Sequence, residues 1–395
     1  MSVKALQETR NSPKWTPVRV IAAAVLAFAA IGLLMLTMNN EDLGRRDYAQ
    51  YWAAGKQLVH GQDPYDLAAI LKVENLAGAH KSQAQVSFSP PFSLLFALPL
   101  GYLDLRTGGI LWMVAIGASL FASVQILKEI YGNDGSLHLV GYLFAPVFAC
   151  LMVGQLDIFL LLGIVLFLKL HATRPFLAGA VLFPLATKPH LFLPFALVLL
   201  AWSINRREFR VLLGGLSTLV GSTLVILMID VHAWSQYFGM LQLVKPTHLF
   251  IPSWSVQLRA AINPQAVWLQ FIPECVCCAW ALWFFWTRRN RWDWKEDGAT
   301  VLLLSVLCAA YAWFYDEVIV LPAIFVSLHR REREGRSLVL FGVFAFAALL
   351  EVMWRVDLAD VYYLWTTPAW LAWYVFAMSS KAPSAVEVPC LDQKA

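Results

Sequence analysis

Charge is scarce in this sequence. Of its 395 residues, 14% are Asp, Glu, Lys or Arg and 59% are hydrophobic, whereas charged residues make up about a quarter of a soluble globular chain. A soluble domain of this size is therefore excluded, and a polytopic membrane protein is expected. The P-loop, GxSxG, HExxH and dinucleotide-binding fingerprints are all missing, so nucleotide chemistry of the soluble kind has no support. A paired-carboxylate DxD motif is missing too, although Asp357 and Asp360 lie near each other. The 6 cysteines fall mostly inside apolar segments, and CVCC at 275–278 has neither nearby histidines nor zinc-like spacing. They are expected to be core-filling thiols rather than metal ligands or disulfides. No cofactor and no metal are expected. No internal repeat is visible.

What is abundant is apolar length. Val18–Met38, Val211–Ile229 and Leu338–Met353 are runs long enough, or nearly so, to cross hydrocarbon as helices. The first of these follows Lys4, Arg10, Lys14 and Arg19 and ends in NNEDLGRRDY, with no small-residue cleavage spacing. It is expected to be an uncleaved anchor rather than a secretory signal. The 17 Trp and 12 Tyr suit interface belts as well as a carbohydrate site.

The net charge of +4 gives no reason to expect nucleic acid, because Lys and Arg sit in short clusters between apolar runs. Those clusters are a topology signal. They comprise the N-terminal tail, Lys128, Arg174, Arg206 to Arg210, Arg288 to Lys295, Arg330 to Arg336 and Lys381, and the positive-inside rule places all of them in the cytoplasm. This works only if Phe88–Leu103 stays on the outer face. Pro90, Pro91, Pro99 and Gly101 within it suit a surface or re-entrant helix better than a crossing. About twelve spans follow, several of them short, among them Leu137–Val153, Phe176–Thr187 and Glu317–Leu328, with both termini cytoplasmic. The expected organisation is a cytoplasmic tail 1–17, a single transmembrane domain 18–378 and a disordered cytoplasmic tail 379–395. Within the membrane domain, the first outer loop is 39–106 and the second is 230–265.

The stretch Gly44 to Asp66 (GRRDYAQYWAAGKQLVHGQDPYD) stands directly after the first apolar segment. A helix over Leu43–Leu58 puts Asp47 on one face with Gln50, Tyr51 and Ala54, which suits a grip on a sugar. Gly61 suits a helix stop and Pro64 a turn. The alternative is a juxtamembrane helix with a solvated Asp47 beside Arg45 and Arg46. The topology brings further polar islands to the same outer face: Gly154 to Asp157, Lys188 to His190, Pro252 to Arg259, and Tyr315-Asp316.

Ionisable groups at membrane depth are costly, which marks Asp157, Lys188, Asp316 and Glu317 as functional candidates, against the alternative of helix-end charges reaching headgroups. Taken together they divide labour. A carboxylate would deprotonate an acceptor hydroxyl, while Lys188, His190 and Arg259 would hold a phosphate that leaves.

The order DYAQYWAAGKQLVHGQDPYD, SPPFSLLFALPL, GQLDIFLLLGIVLFL, ATKPH, PSWSVQLRAAI and YAWFYDEVIVLPAI resembles the membrane glycosyltransferases of the GT-C fold, and more narrowly glycosyltransferase family 87. The resemblance runs over residues 18–330. It implies an all-α polytopic GT-C-like bundle with an outer-face juxtamembrane helix-loop after the first span. It also implies an inverting enzyme that uses a polyprenyl-phosphate sugar, typically mannose, at the periplasmic face of a bacterial inner membrane. The family's base falls on Asp47. Its other motifs fall on Ser89 to Leu100, Gly154-Gln155, Lys188-Pro189 and Trp313 to Asp316, with Ala310-Tyr311 where many members have Ser-Pro. The expected substrate-binding set is Arg46, Gln50, Tyr51, Gln155, Asp157, Tyr315 and Asp316; Lys188, His190 and Arg259 would meet the donor phosphate. The partners implied are a polyprenyl-phosphate sugar donor, a glycan or lipid-linked acceptor and the lipid bilayer, with no nucleic acid. A secondary transporter or flippase of a polyprenyl-linked sugar is the alternative; the clustering of islands at one face and the absence of an inverted repeat argue against it.

Overall fold

Proline and glycine divide the apolar runs into more pieces than hydropathy alone resolves. The computed structural model describes residues 39–85, 87–132, 137–244, 253–330, 333–356 and 360–379. The N-terminal tail, the expected anchor Val18–Met38, residues 245–252 of the expected second outer loop and the C-terminal tail from 380 lie outside the described residues. Among the described residues every regular element is a helix, and no strand occurs.

Among the described residues three helices are long and apolar enough to cross a membrane: Leu105–Tyr131, Phe209–Ile229 and the run Val267–Arg288. Leu105–Tyr131 begins at Asp104, whose Oδ1 accepts from the backbone N–H groups of Arg106 and Thr107 at 3.0 Å each, a side-chain N-cap. Phe209–Ile229 turns large apolar side chains outward, with Leu216 58% and Met228 80% exposed, as a lipid-facing helix does.

The other apolar helices are short: Pro91–Gly101, Pro175–Thr187, Leu193–Arg206, Asp297–Cys308 and Gly342–Met353. Among the described residues, then, three helices of full spanning length stand beside an expected count near twelve, several of them expected to be short. The reason is local. The expected span 176–187 is a helix Pro175–Ala180 that tightens into a 3₁₀ turn Phe183–Thr187 around Pro184. The expected span 317–328 starts as a 3₁₀ stretch Phe314–Val320 and becomes α-helical at Leu321–Arg330. The expected span 137–153 is interrupted at Phe144, extended at ψ 117°, before Ala145–Val153 restarts with Pro146 in its first turn.

Residues 39–106, expected to form the first outer loop, fold as short helices up to the start of Leu105–Tyr131. Asn40–Gly44 and Tyr48–Val59 form two helices with a turn at Arg45–Asp47 between them, in place of one helix over 43–58. The second ends just before Gly61, which sits at φ +66°. Phe88–Leu103 contains only a turn Pro91–Ser93 and a helix Leu94–Gly101, about 12 Å long at 1.5 Å per residue, well short of a bilayer core. This helix packs on Tyr48–Val59 in direct backbone contact. A Cβ added at Gly101 would stand 2.2 Å from the Gly55 carbonyl oxygen, and one at Gly55 would stand 2.2 Å from the Ala97 oxygen.

At the far end of the bundle Trp294 is buried among Phe167, Phe195 and Trp202, with ring centroids 5.0, 5.3 and 5.5 Å away. This cluster ties Asp157–Leu170 and Leu193–Arg206 to the segment leading into Asp297–Cys308. Those helices carry the polar turns described next.

Candidate active site

Helix ends, rather than helix interiors, supply the polar side chains. They meet around a cavity of about 700 Å³. The helix Tyr48–Val59 contributes Gln50 and Tyr51, and the turn before it contributes Asp47. The turn between Ala145–Val153 and Asp157–Leu170 contributes Gln155, the turn around Pro189 contributes Thr187, Lys188 and His190, and the segment after Asp297–Cys308 contributes Tyr311, Trp313, Tyr315 and Asp316. Gln83, Gln85, Phe88 and Ser89 close the first-loop side.

Asp47 has both carboxylate oxygens engaged by amides. Gln155 Nε2 donates to Oδ2 at 2.8 Å and Gln85 Nε2 donates to Oδ1. Tyr51 donates its hydroxyl proton to Gln155 Oε1 at 2.7 Å, and Gln155 Nε2 also reaches the Tyr315 hydroxyl at 3.5 Å. Burial pushes the Asp47 carboxyl above its usual range, while the Gln155 amide and the Lys188 charge pull the other way. A carboxylate so placed has raised proton affinity and a fixed orientation, the two properties a general base needs.

Gln155 is placed by the residue before it. Gly154 takes φ +73°, and a Cβ there would come within 2.9 Å of the Tyr48 Cβ. Its carbonyl accepts from Trp112 Nε1 at 2.7 Å. The position therefore demands glycine for conformation and for space.

Lys188 lies between two carboxylates. Its Nζ donates to Asp157 Oδ2 at 2.8 Å and to Asp316 Oδ1 at 2.7 Å, and both acids are fully buried. Asp316 Oδ2 also accepts from the Trp313 backbone N–H at 2.7 Å. With both acids ionised, the trio carries one net negative charge. Lys188 retains a third N–H donor and stands 5.1 Å from the Tyr315 ring centroid.

The remaining expected residues separate. His190 lines the cavity as a neutral ring, since burial and then Lys188 push its imidazole down to about 3. It stacks on Tyr311 with centroids 3.7 Å apart. Asp157 is outside the lining and reaches the cavity through Lys188. Arg46 is beside Asp47 in sequence but outside the lining. Arg259 is buried and also outside it, with a guanidinium N–H donating to Gln270 Oε1 at 2.7 Å. Glu317 turns away from the cavity; its carboxylate accepts from the hydroxyls of Thr366 and Thr367 and from Trp370 Nε1 at 2.9 Å. Among the described residues no group of three or more His, Cys, Asp or Glu gathers to hold a metal ion.

Sequence reasoning missed Gln85. The polar run KSQAQ just before Phe88 was its one signal, and its partner depends on how the first outer loop folds back. Lys81 Nζ holds Gln85 Oε1 at 2.7 Å and the buried Glu74 at 3.0 Å.

Residues 88–310 match the family model described as glycosyltransferase family 87. No curated protein and no solved structure matches the chain.

Proposed function

The chain belongs to glycosyltransferase family 87 and is a membrane glycosyltransferase, and we propose that it transfers a hexose, mannose favoured, from a polyprenyl-phosphate donor to a glycan or lipid-linked acceptor. The observation that carries this reading is Asp47, a buried carboxylate fixed by two amides on the wall of a cavity that also contains Lys188. In the proposed inverting displacement the acceptor oxygen attacks the anomeric carbon as its proton passes to Asp47. The bond from that carbon to the phosphate oxygen breaks, and the electron pair leaves with the polyprenyl phosphate. The third N–H of Lys188 meets the departing phosphate oxygen, whose charge rises in the transition state. Asp157 and Asp316 hold the ammonium in place. Gln50, Tyr51, Gln155 and Tyr315 orient the sugars. In this reading His190 contributes a neutral wall, and Arg46 and Arg259 act at a distance from the reacting atoms.

The cavity would open to the periplasmic side of a bacterial inner membrane, within a GT-C-like bundle of about twelve crossings and with both termini cytoplasmic. The short Leu94–Gly101 helix supports the topology, because leaving it on the outer surface keeps the basic clusters on one side. The test is direct. Purified protein in detergent is given polyprenyl-phosphate mannose labelled in the sugar, together with a membrane glycan extract. Time-dependent transfer with inversion at the anomeric carbon is the expected result. Label that stays on the lipid overturns the proposal and returns the transporter reading, which requires a membrane.

A further inference from the structure

The chain leaves Asp297–Cys308 through a bend at Ala310 and Tyr311, is extended at Trp313 (ψ 163°) and enters the 3₁₀ stretch Phe314–Val320 at its next residue. Tyr311, Trp313 and Tyr315 all line the cavity and are partly exposed to it. Trp313 and Tyr315 are nearly parallel, 14° apart with centroids at 5.9 Å, and Tyr311 meets Trp313 edge-on at 6.2 Å. The rings form a continuous strip with a direction. At one end the Tyr315 hydroxyl shares the Gln155 amide with Asp47. At the other end Tyr311 rests on His190.

The catalytic reading gives Tyr311 and Trp313 no task. A single transferred hexose needs one place beside Asp47, whereas the strip continues past it. Flat aromatic surface set beside hydrogen-bonding side chains suits the pyranose ring, which has an apolar C–H face and a polar rim. The charge of the walls narrows the ligand further. With Lys188 engaged by the donor phosphate, the charged side chains left on the lining for an acceptor to meet are Asp47 and Asp316, and His190 is neutral, so an acidic acceptor sugar would be repelled.

We propose that Tyr311, Trp313 and Tyr315 form an acceptor subsite for neutral pyranose rings, so that the acceptor is a neutral glycan stacked along the strip with its reacting hydroxyl at Asp47. This rests on the glycosyltransferase reading above. Trp313, central in the strip, is a specificity residue for the acceptor.

The experiment measures binding and transfer separately on the full-length protein. The binding probes are methyl α-D-mannopyranoside, methyl β-D-glucopyranoside and methyl β-D-glucuronide, followed by saturation-transfer NMR in a detergent without sugar headgroups. The two neutral glycosides are expected to bind through their C–H faces and the glucuronide to give no transfer. Trp313→Ala is expected to weaken neutral glycoside binding about 3- to 10-fold, and Trp313→Phe, which keeps a ring, to restore it. In transfer assays Trp313→Ala raises the acceptor KM by a similar factor and lowers kcat less. Glycoside binding unaltered in a folded Trp313→Ala protein overturns the subsite, as does equal binding of the glucuronide. Should the parent bind neutral glycosides but never release sugar from the donor, the acceptor role falls together with the glycosyltransfer reading. Should it release sugar but bind no glycoside, only the subsite falls.

Discussion

Gln155 donates its side-chain amide to Asp47 at 2.8 Å, joining positions 108 residues apart. That bond couples the turn before Tyr48–Val59 to the turn before Asp157–Leu170 and fixes the orientation of the proposed base.

Asp47→Asn keeps the shape of the side chain and removes its basicity. Transfer should fall by about two to four orders of magnitude, with expression and detergent-solubilised yield unchanged. Single-turnover rates on matched amounts of protein decide the point; activity within tenfold of the parent would eliminate Asp47 as the base.

Gln155→Met retains bulk and removes the amide. Burial already raises the Asp47 carboxyl, and the Gln155 hydrogen bond opposes that rise by favouring the charged form. Losing it raises the carboxyl further. Gln85, Lys188, Asp316 and Tyr315, the other groups that face Asp47, stay in place. Because Asp47 acts ionised, the acid limb of kcat/KM should move to higher pH. A reduced rate with an unmoved acid limb would mean that Gln155 acts on packing alone.

Lys188→Ala leaves Asp157 and Asp316 buried without their cation, a change that costs about 3–5 kcal/mol of stability. Its rate is therefore read beside that of Lys188→Met combined with Asp157→Asn, which lowers the buried charge. Both should turn over at least about a hundredfold more slowly, and Lys188→Arg should recover only part of the rate because its planar fork differs from an ammonium. If the folded double variant keeps the parental rate, Lys188 has no part in stabilising the leaving group.

Glu317→Ala strands the Thr367 hydroxyl and the Trp370 indole N–H, while the Thr366 hydroxyl keeps the Tyr363 carbonyl as an acceptor at 2.7 Å. It should lower stability by about 2 kcal/mol or more, while activity per folded molecule is preserved and Glu317→Gln loses less. Thermal midpoints in detergent provide the measurement. A stable Glu317→Ala protein that has lost transfer would return Glu317 to the site.

Cysteines placed at the exposed positions Ser82 and Asp104 should both react with an impermeant thiol reagent added from outside, and one at the exposed Asn205 should not. Opposite accessibility at 82 and 104 would mean that the intervening segment crosses the membrane.

Much of this site is legible in sequence order. Asp47, Gln155, Lys188 and Tyr315-Asp316 each stand beside a helix breaker or at a helix end, and the charge-based topology put them on one face. What the order does not reveal is pairing. Lys188 reads as a free cation until Asp157 and Asp316 are seen on either side of it, and His190 reads as a cation until its burial is known. Arg259 carries the right charge on the right loop, yet its guanidinium goes to Gln270. The number of crossings is obscured for a related reason: hydropathy averages over windows, whereas Pro146, Pro184 and the 3₁₀ stretch at Phe314–Val320 break helices within them.

The Lys188 trio also has a history written into its numbering. Asp157 and Lys188 are separated by 31 residues and Lys188 and Asp316 by 128. At roughly 5–20 residues per second of synthesis, the first two emerge within seconds of each other as a balanced pair, and the third follows about 6 to 25 seconds later. A chain halted between them has made one acid and one cation of the trio. With both acids ionised, the net negative charge is acquired only when Asp316, about four-fifths of the way along the 395 residues, has been made.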